Sequence, residues 1–179
     1  MLDEQQRTTL LQIAREAVQA AIGHQRYAPT TEDAELQKPG AAFVTLKKCG
    51  ELRGCIGTIE PREPLIENVA HMARAAALED PRFPPVTSTE IPDLTIDISV
   101  LSHPEPVTDV NAIEIGRHGL IIEAGHKRGL LLPQVPVEWG WSRDEFLDHT
   151  CLKAGLPKGS WRTGAALYAF EAEVFGERE

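Results

Sequence analysis

The hairpin between residues 41 and 58 limits this chain more than any other stretch. Ala41–Lys48 reads as a strand, Cys49-Gly50-Glu51 as a turn, and residues 51 to 59 as the returning strand. The return carries Leu52-Arg53-Gly54-Cys55-Ile56-Gly57-Thr58, where a cation, a thiol, a hydroxyl and two glycines fall within seven consecutive residues. In an unbroken strand the side chains alternate, so Arg53, Cys55 and Gly57 share one face. In either simple hairpin register that face lines up with Val44 and Leu46, which calls for at least partial burial of Cys55. A glycine inside a strand packs nothing, so Gly54 and Gly57 mark a bulge or a place where a ligand or another backbone comes close.

Two readings of Cys55 stand side by side. As a small hydrophobe it fills space in a twisted hairpin, as most free cysteines do. As a functional thiol it takes help from Arg53, about 7 Å away along the strand. At that distance a unit charge is worth about 0.6 kcal/mol in water and about 2.4 kcal/mol at an effective dielectric near 20. Only a partly buried pair makes the thiol reactive.

The remaining elements follow from periodicity and punctuation. Leu10, Leu11, Ala14, Ala17, Val18, Ala21 and Ile22 recur at helical spacing and stop at Gly23. Residues 24 to 40 are polar and carry Pro29 and Pro39, so they read as a loop with His24 and Tyr27 at the surface. A second helix runs from about Pro64 to Leu78, with an alanine-rich stripe suited to close packing and His71 beside it as a packed or exposed residue rather than a base. Asp80-Pro81-Arg82-Phe83-Pro84-Pro85 breaks that helix and fixes a rigid loop, either a pocket wall or a structural Asp-Arg pair.

Leu94–Leu101 alternates cleanly as a strand that His103-Pro104 ends. Residues 111 to 116 read as a helical turn, 119 to 123 and 128 to 132 as strands, and Gln134 as a group just past the end of the second of these. Ser142-Arg143-Asp144-Glu145 is a capping box opening a helix that Gly155 stops; it places Cys151 on the inner, structural face. A strand over 165 to 175 closes the chain with Glu171 and Glu173 outward. Hairpins mixed with helices predict an α+β, or mixed α/β, fold: an antiparallel or mixed sheet flanked by helices, in one domain over residues 1–179 with room for a smaller second lobe on a shared core.

Composition narrows the function classes. Eighteen Lys and Arg stand against 27 Asp and Glu, a net charge of −9, with no basic patch interleaved with aromatics, so no nucleic-acid partner is expected. No apolar run approaches the roughly 18 residues of a membrane span and the start lacks a signal-peptide profile, so no membrane partner and a cytoplasmic location are expected. Cys49, Cys55 and Cys151 form neither a CxxC pair nor an even framework, which suits a reducing compartment, and no His/Cys group has zinc spacing.

Five ordered motifs together resemble a known family. They are the heptad 52–58, Asp80–Pro85, Ile98-Ser99-Val100-Leu101, Gly129-Leu130-Leu131-Leu132-Pro133-Gln134-Val135, and the Phe146-Leu147 to Lys153-Ala154-Gly155-Leu156 helix end. Across essentially the whole chain they are similar to the AMMECR domain family, in its prokaryotic branch, the A proteins of AmmeMemoRadiSam systems. The resemblance implies a two-lobed α/β fold and association with a Memo-like protein related to extradiol dioxygenases and with a radical S-adenosylmethionine protein. It supplies neither a reaction nor a cofactor, and family membership alone does not establish chemistry. The positions it carries over are Arg53, Gly54, Cys55, Gly57 and Thr58, with Asp80, Arg82, Pro133, Gln134 and Glu138 beside them.

Two functions follow. In one, the domain is a binding component that takes a small molecule, peptide or partner at Leu52–Thr58. In the other, Cys55 is a nucleophile or transient carrier, Arg53 favours its thiolate or binds an anionic group, and Thr58 or Gln134 donates hydrogen bonds to substrate. The second lacks an identified general base; His71, His103 and His126 qualify only if the fold brings one to Cys55.

Overall fold

A capping box starts the first helix: the Asp3 side chain accepts the Gln6 amide while the Gln6 side chain reaches back to Asp3. The computed structural model describes residues 1–178, and its elements run α1 (Glu4–Ile22), α2 (Ala34–Gln37), β1 (Ala41–Lys48), β2 (Glu51–Gly57) and α3 (Leu65–Leu78). They continue as β3 (Leu94–Leu101), β4 (Glu105–Pro106), β5 (His118–Ala124), β6 (Lys127–Leu131), α4 (Gln134–Trp139), α5 (Arg143–Lys153) and β7 (Ala166–Gly176). The fold is α+β with antiparallel strand pairs and flanking helices, as the sequence predicts. No helix among the described residues is long and apolar enough to cross a membrane.

The chain forms two units, one of Met1–Leu101 with the segment from Glu173 onward, the other, smaller, of Ser102–Ala172. In the first, β2, β1 and β3 lie side by side and the last turn-out of β7 adds through a bond from the Glu177 amide to the Ile96 carbonyl. The β1–β2 turn places Cys49 at φ 52° and Gly50 at φ 81°, the pair of positive values a tight two-residue hairpin needs. One face of this sheet, with Val44, Leu46, Ile96 and Ile98, packs into a core with Leu10, Ala14 and Val18 of α1 and Val69, Ala73 and Ala76 of α3. Gly54 makes the close approach of α3 possible, because a Cβ there would run into the Ala76 carbonyl. Arg7 and Arg15 of α1 pair with Glu173 and Glu177, tying the helix to the chain end.

The second unit has its own core of Leu120 and Ile122 on β5, Phe146, Leu147 and Cys151 on α5, and Ile113 and Leu167. β5 pairs with β6 and with β7, and β4 pairs with β7. The Ser142–Glu145 capping box forms as predicted, and Gly129 leaves room for the end of α5 at Ala154. Cys151 is fully buried, and burial pushes its thiol up from the ordinary value, which fits its structural reading.

Three local features depart from expectation. Residues 134–139 form the short helix α4, which the sequence pattern does not predict, so Gln134, just past the end of β6 as expected, also opens a helix. Tyr27 is half-buried against the first core and donates a 2.7 Å bond to Glu16, so it is not a surface residue. The third concerns register and sets the geometry of the site.

Candidate functional site

A two-residue turn at Cys49-Gly50 would, in an unbroken ladder, set Cys55 opposite Val44 on the buried face. The observed pairs are instead Lys47 with Leu52, Leu46 with Gly54 and Thr45 with Cys55. Arg53 is the extra residue of a β-bulge, and one inserted residue sends every following side chain to the other face. Cys55 therefore shares a face with Thr45, and through β1 with Asp97 on β3, turned away from α1 and α3. Gly54 takes the buried position opposite Leu46. The glycines of the heptad are explained within the chain: the α3 backbone approaches Gly54, and the Phe43 ring covers Gly57.

Cys55 is half-buried, and its Sγ accepts a 3.1 Å hydrogen bond from the Thr45 hydroxyl. Its backbone faces a different partner. The Cys55 amide donates to Asp80 Oδ2 at 2.9 Å, and the Cys55 carbonyl accepts from Arg82 Nη2 at 3.4 Å. Both groups thus point away from β1, and the Asp80/Arg82 pair occupies the place another strand would take. Asp80 is buried at 4% exposure and accepts four N–H donors, from Cys55 N, Arg82 N, Arg82 Nε and Arg82 Nη2. The Arg82 guanidinium, ahead of the opposing effect of burial, holds the Asp80 carboxyl far below the usual carboxylate range, and Asp80 in turn raises Arg82. Asp80-Pro81-Arg82 is the structural ion pair of the two sequence alternatives.

Arg53 is engaged elsewhere. Its Nε and Nη2 meet the two oxygens of Glu90 at 2.9 and 3.2 Å, with Lys48 Nζ at 3.2 Å on the same carboxylate. Its side chain is only 11% exposed, and Nη1 is buried without a hydrogen-bond partner among the described residues. Arg53 and Arg82 both lie against the Phe83 ring, at 5.9 and 5.5 Å from its centroid. Arg53 first, then the Thr87 amide, lowers the Glu90 carboxyl to about 2. The Thr58 hydroxyl closes a local turn, accepting from the Glu60 amide and donating to its carbonyl.

The structure thus brings Arg53, Gly54, Cys55, Gly57, Thr58, Asp80 and Arg82 together in the first unit. Gln134 and Glu138 lie in the second, both exposed on α4. Two residues were missed by sequence reasoning. Thr45 is hidden because its position opposite Cys55 depends on the bulge. Glu90 carries a readable signal, since Thr87-Ser88-Thr89-Glu90 has capping-box spacing and the Thr87 amide does donate to Glu90 at 2.8 Å, but nothing local names Arg53 as its partner. Among the described residues no cluster of His, Cys, Asp and Glu has the grouping of a metal site.

Comparison with known proteins adds identity to this geometry. The AMMECR1 family model matches residues 11–175. A Thermococcus gammatolerans protein is 45% identical over 94% of this chain and 88% of its own length. Protein MJ0810 of Methanocaldococcus jannaschii is 53% identical over 72% of this chain and 68% of its own. The crystal structure of the uncharacterized protein PH0010 from Pyrococcus horikoshii superposes with a TM-score of 0.84 at 41% identity, covering 94% of this chain and 90% of that one.

Proposed function

The chain belongs to the AMMECR1 family, and from that premise we propose that it is a binding component of a system that also contains a Memo-like and a radical S-adenosylmethionine protein. Its binding surface is the face of β1 and β2 that carries Thr45 and Cys55, and the occupant is a small molecule, a peptide or a segment of one of those companions. The observation that carries this reading is the division of labour at Cys55: its backbone is locked by Asp80 and Arg82, while its side chain is presented half-exposed on the face away from the core. A rigid backbone with a presented side chain reduces the ordering cost of binding. Asp80, the carboxylate in contact with Cys55, has its oxygens filled by N–H donors and so is unsuited to take a proton.

The test is a titration of the purified chain against each purified companion, comparing wild type with Thr45→Arg, which places a bulky cation on the face while leaving the Val44/Leu46 core side intact. The reading expects saturable binding that weakens at least about tenfold in the variant, a loss of about 1.4 kcal/mol. Equal affinity for both chains overturns it.

One observation favours a second reading, in which the Cys55 thiol is a nucleophile or transient carrier: the Thr45 hydroxyl donates to Sγ and so holds the sulfur in one orientation on the half-exposed face. Cys55→Ser separates the two. Retained binding with retained system function supports a binding role, whereas retained binding with lost function supports thiol chemistry.

A further inference from the structure

A cleft of the first unit, of about 710 Å³, is lined by residues other than those of the Cys55 face. Its floor is made of Ala17, Ala21 and Ala70, side chains small enough to let α1 and α3 approach closely. One wall is the chain just after α1, which doubles back: the Gly23, His24 and Gln25 amides bond the carbonyls of Gln19, Ala21 and Ala20. Tyr27 holds that wall in place by donating its hydroxyl to Glu16 at 2.7 Å.

The charge on this cleft is unlike that of the protein. The chain carries a net charge of −9, yet the rim presents Arg26, Arg74, His24 and His71. Among the described residues most arginines are matched to carboxylates, including Arg7, Arg15, Arg53, Arg82 and Arg117. Arg26 and Arg74 have no hydrogen-bond or ion-pair partner among the described residues, and both border this one cleft. The carboxylates bonded to cleft residues are already committed, Glu16 to Tyr27 and Glu63 to His71 Nδ1 at 2.9 Å. The carbonyls at the end of α1, which would otherwise repel an anion, are the ones capped by the returning chain.

We propose that this cleft binds a small organic anion, with a carboxylate or phosphate head met by Arg26 and Arg74 and an apolar body seated on the alanine floor beside Tyr27. The volume suits a small molecule rather than a protein segment. Two guanidinium groups recognise either oxyanion head through paired N–H donors. The site is independent of Cys55, and its failure leaves the reading of that face untouched.

The experiment is an NMR titration of the full chain at constant ionic strength with phenyl phosphate and with benzoate. Benzyl alcohol supplies the body without the charge, and inorganic phosphate the charge without the body. The proposal expects saturable shifts at Ala17, Ala21, Tyr27 and Ala70 with at least one of the two aromatic anions, about tenfold tighter than with either control. Tighter phenyl phosphate identifies a phosphate-bearing ligand, tighter benzoate a carboxylate. Arg26→Gln with Arg74→Gln, both exposed positions, weakens binding about tenfold with an unchanged urea midpoint, and the paired lysine variants recover part of it. Equal affinity in the glutamine variant, equal binding of benzyl alcohol, or no saturable shift at those residues overturns the proposal.

Discussion

The Asp80 carboxylate stands in for a neighbouring strand at Cys55: Oδ2 accepts the Cys55 amide at 2.9 Å while Arg82, bound to the same carboxylate, donates to the Cys55 carbonyl. Among the described residues β2 has no strand partner on its outer side, and an open strand edge is a template for association with other chains. The ion pair closes that edge where the bulge leaves the thiol presented.

Removing the carboxylate therefore does two things. Asp80→Ala leaves the Cys55 and Arg82 donors without their acceptor and is expected to cost about 3 kcal/mol, read from urea unfolding. It also opens the edge, so the variant should self-associate more readily by light scattering than a destabilised core variant of equal stability, such as one at Val69. Asp80→Asn, which keeps an acceptor but not the charge, should fall between.

Acid titration tests the same contacts. The Asp80 and Glu90 carboxyls are both depressed in the folded state, Glu90 to about 2, so the folded chain binds fewer protons than the unfolded chain near pH 4. Their stabilisation is fully present above the ordinary carboxyl range near 4 to 4.5 and is lost as pH falls through the folded values. For Glu90, a side chain 15% exposed, that amounts to about 3 kcal/mol disappearing between about pH 4.5 and 2. Glu90→Gln should flatten this part of the stability curve, and an unchanged curve contradicts the assignment.

The two heptad glycines should differ in how they fail. Gly54→Ala drives a methyl group into the Ala76 backbone, which cannot rotate away, and is expected to cost about 3 kcal/mol or more. At Gly57 the obstacle is the Phe43 ring, a side chain at 43 that can turn, so Gly57→Ala should cost less by urea denaturation.

Alkylation with timed mass spectrometry should rank the three thiols by access. Cys49, exposed on the turn, labels first, half-buried Cys55 next, and Cys151 only as the chain unfolds. Labelling of Cys55 no faster than Cys151 contradicts the register that the bulge imposes.

That register marks the limit of what the sequence makes legible. Elements defined by periodicity and caps could be read directly: the Ser142–Glu145 box, the Leu94–Leu101 alternation and the alanine stripe of α3 all sit where the pattern puts them. The bulge at Arg53 could not, because the buried position beside it is filled by Gly54, which gives an alternation pattern nothing to fix on. The missing methyl group that identifies the close α3 contact is the same one that hides the strand's facing. α4 was obscured by Pro133 and Pro136, which argue against a helix except in its first turn, where they stand. The Arg53–Glu90 pair joins residues 37 apart, a relation no local pattern carries.

The central claim is that the Thr45/Cys55 face is a surface on which a companion protein or its ligand sits. The most direct measurement is the alkylation rate of Cys55 in a Cys49→Ser chain, with and without a saturating Memo-like or radical S-adenosylmethionine companion. The account expects Cys55 labelling to slow at least about tenfold when the companion that binds is present, an occlusion free energy of about 1.4 kcal/mol. An unchanged Cys55 rate in a chain that is demonstrably bound would contradict it.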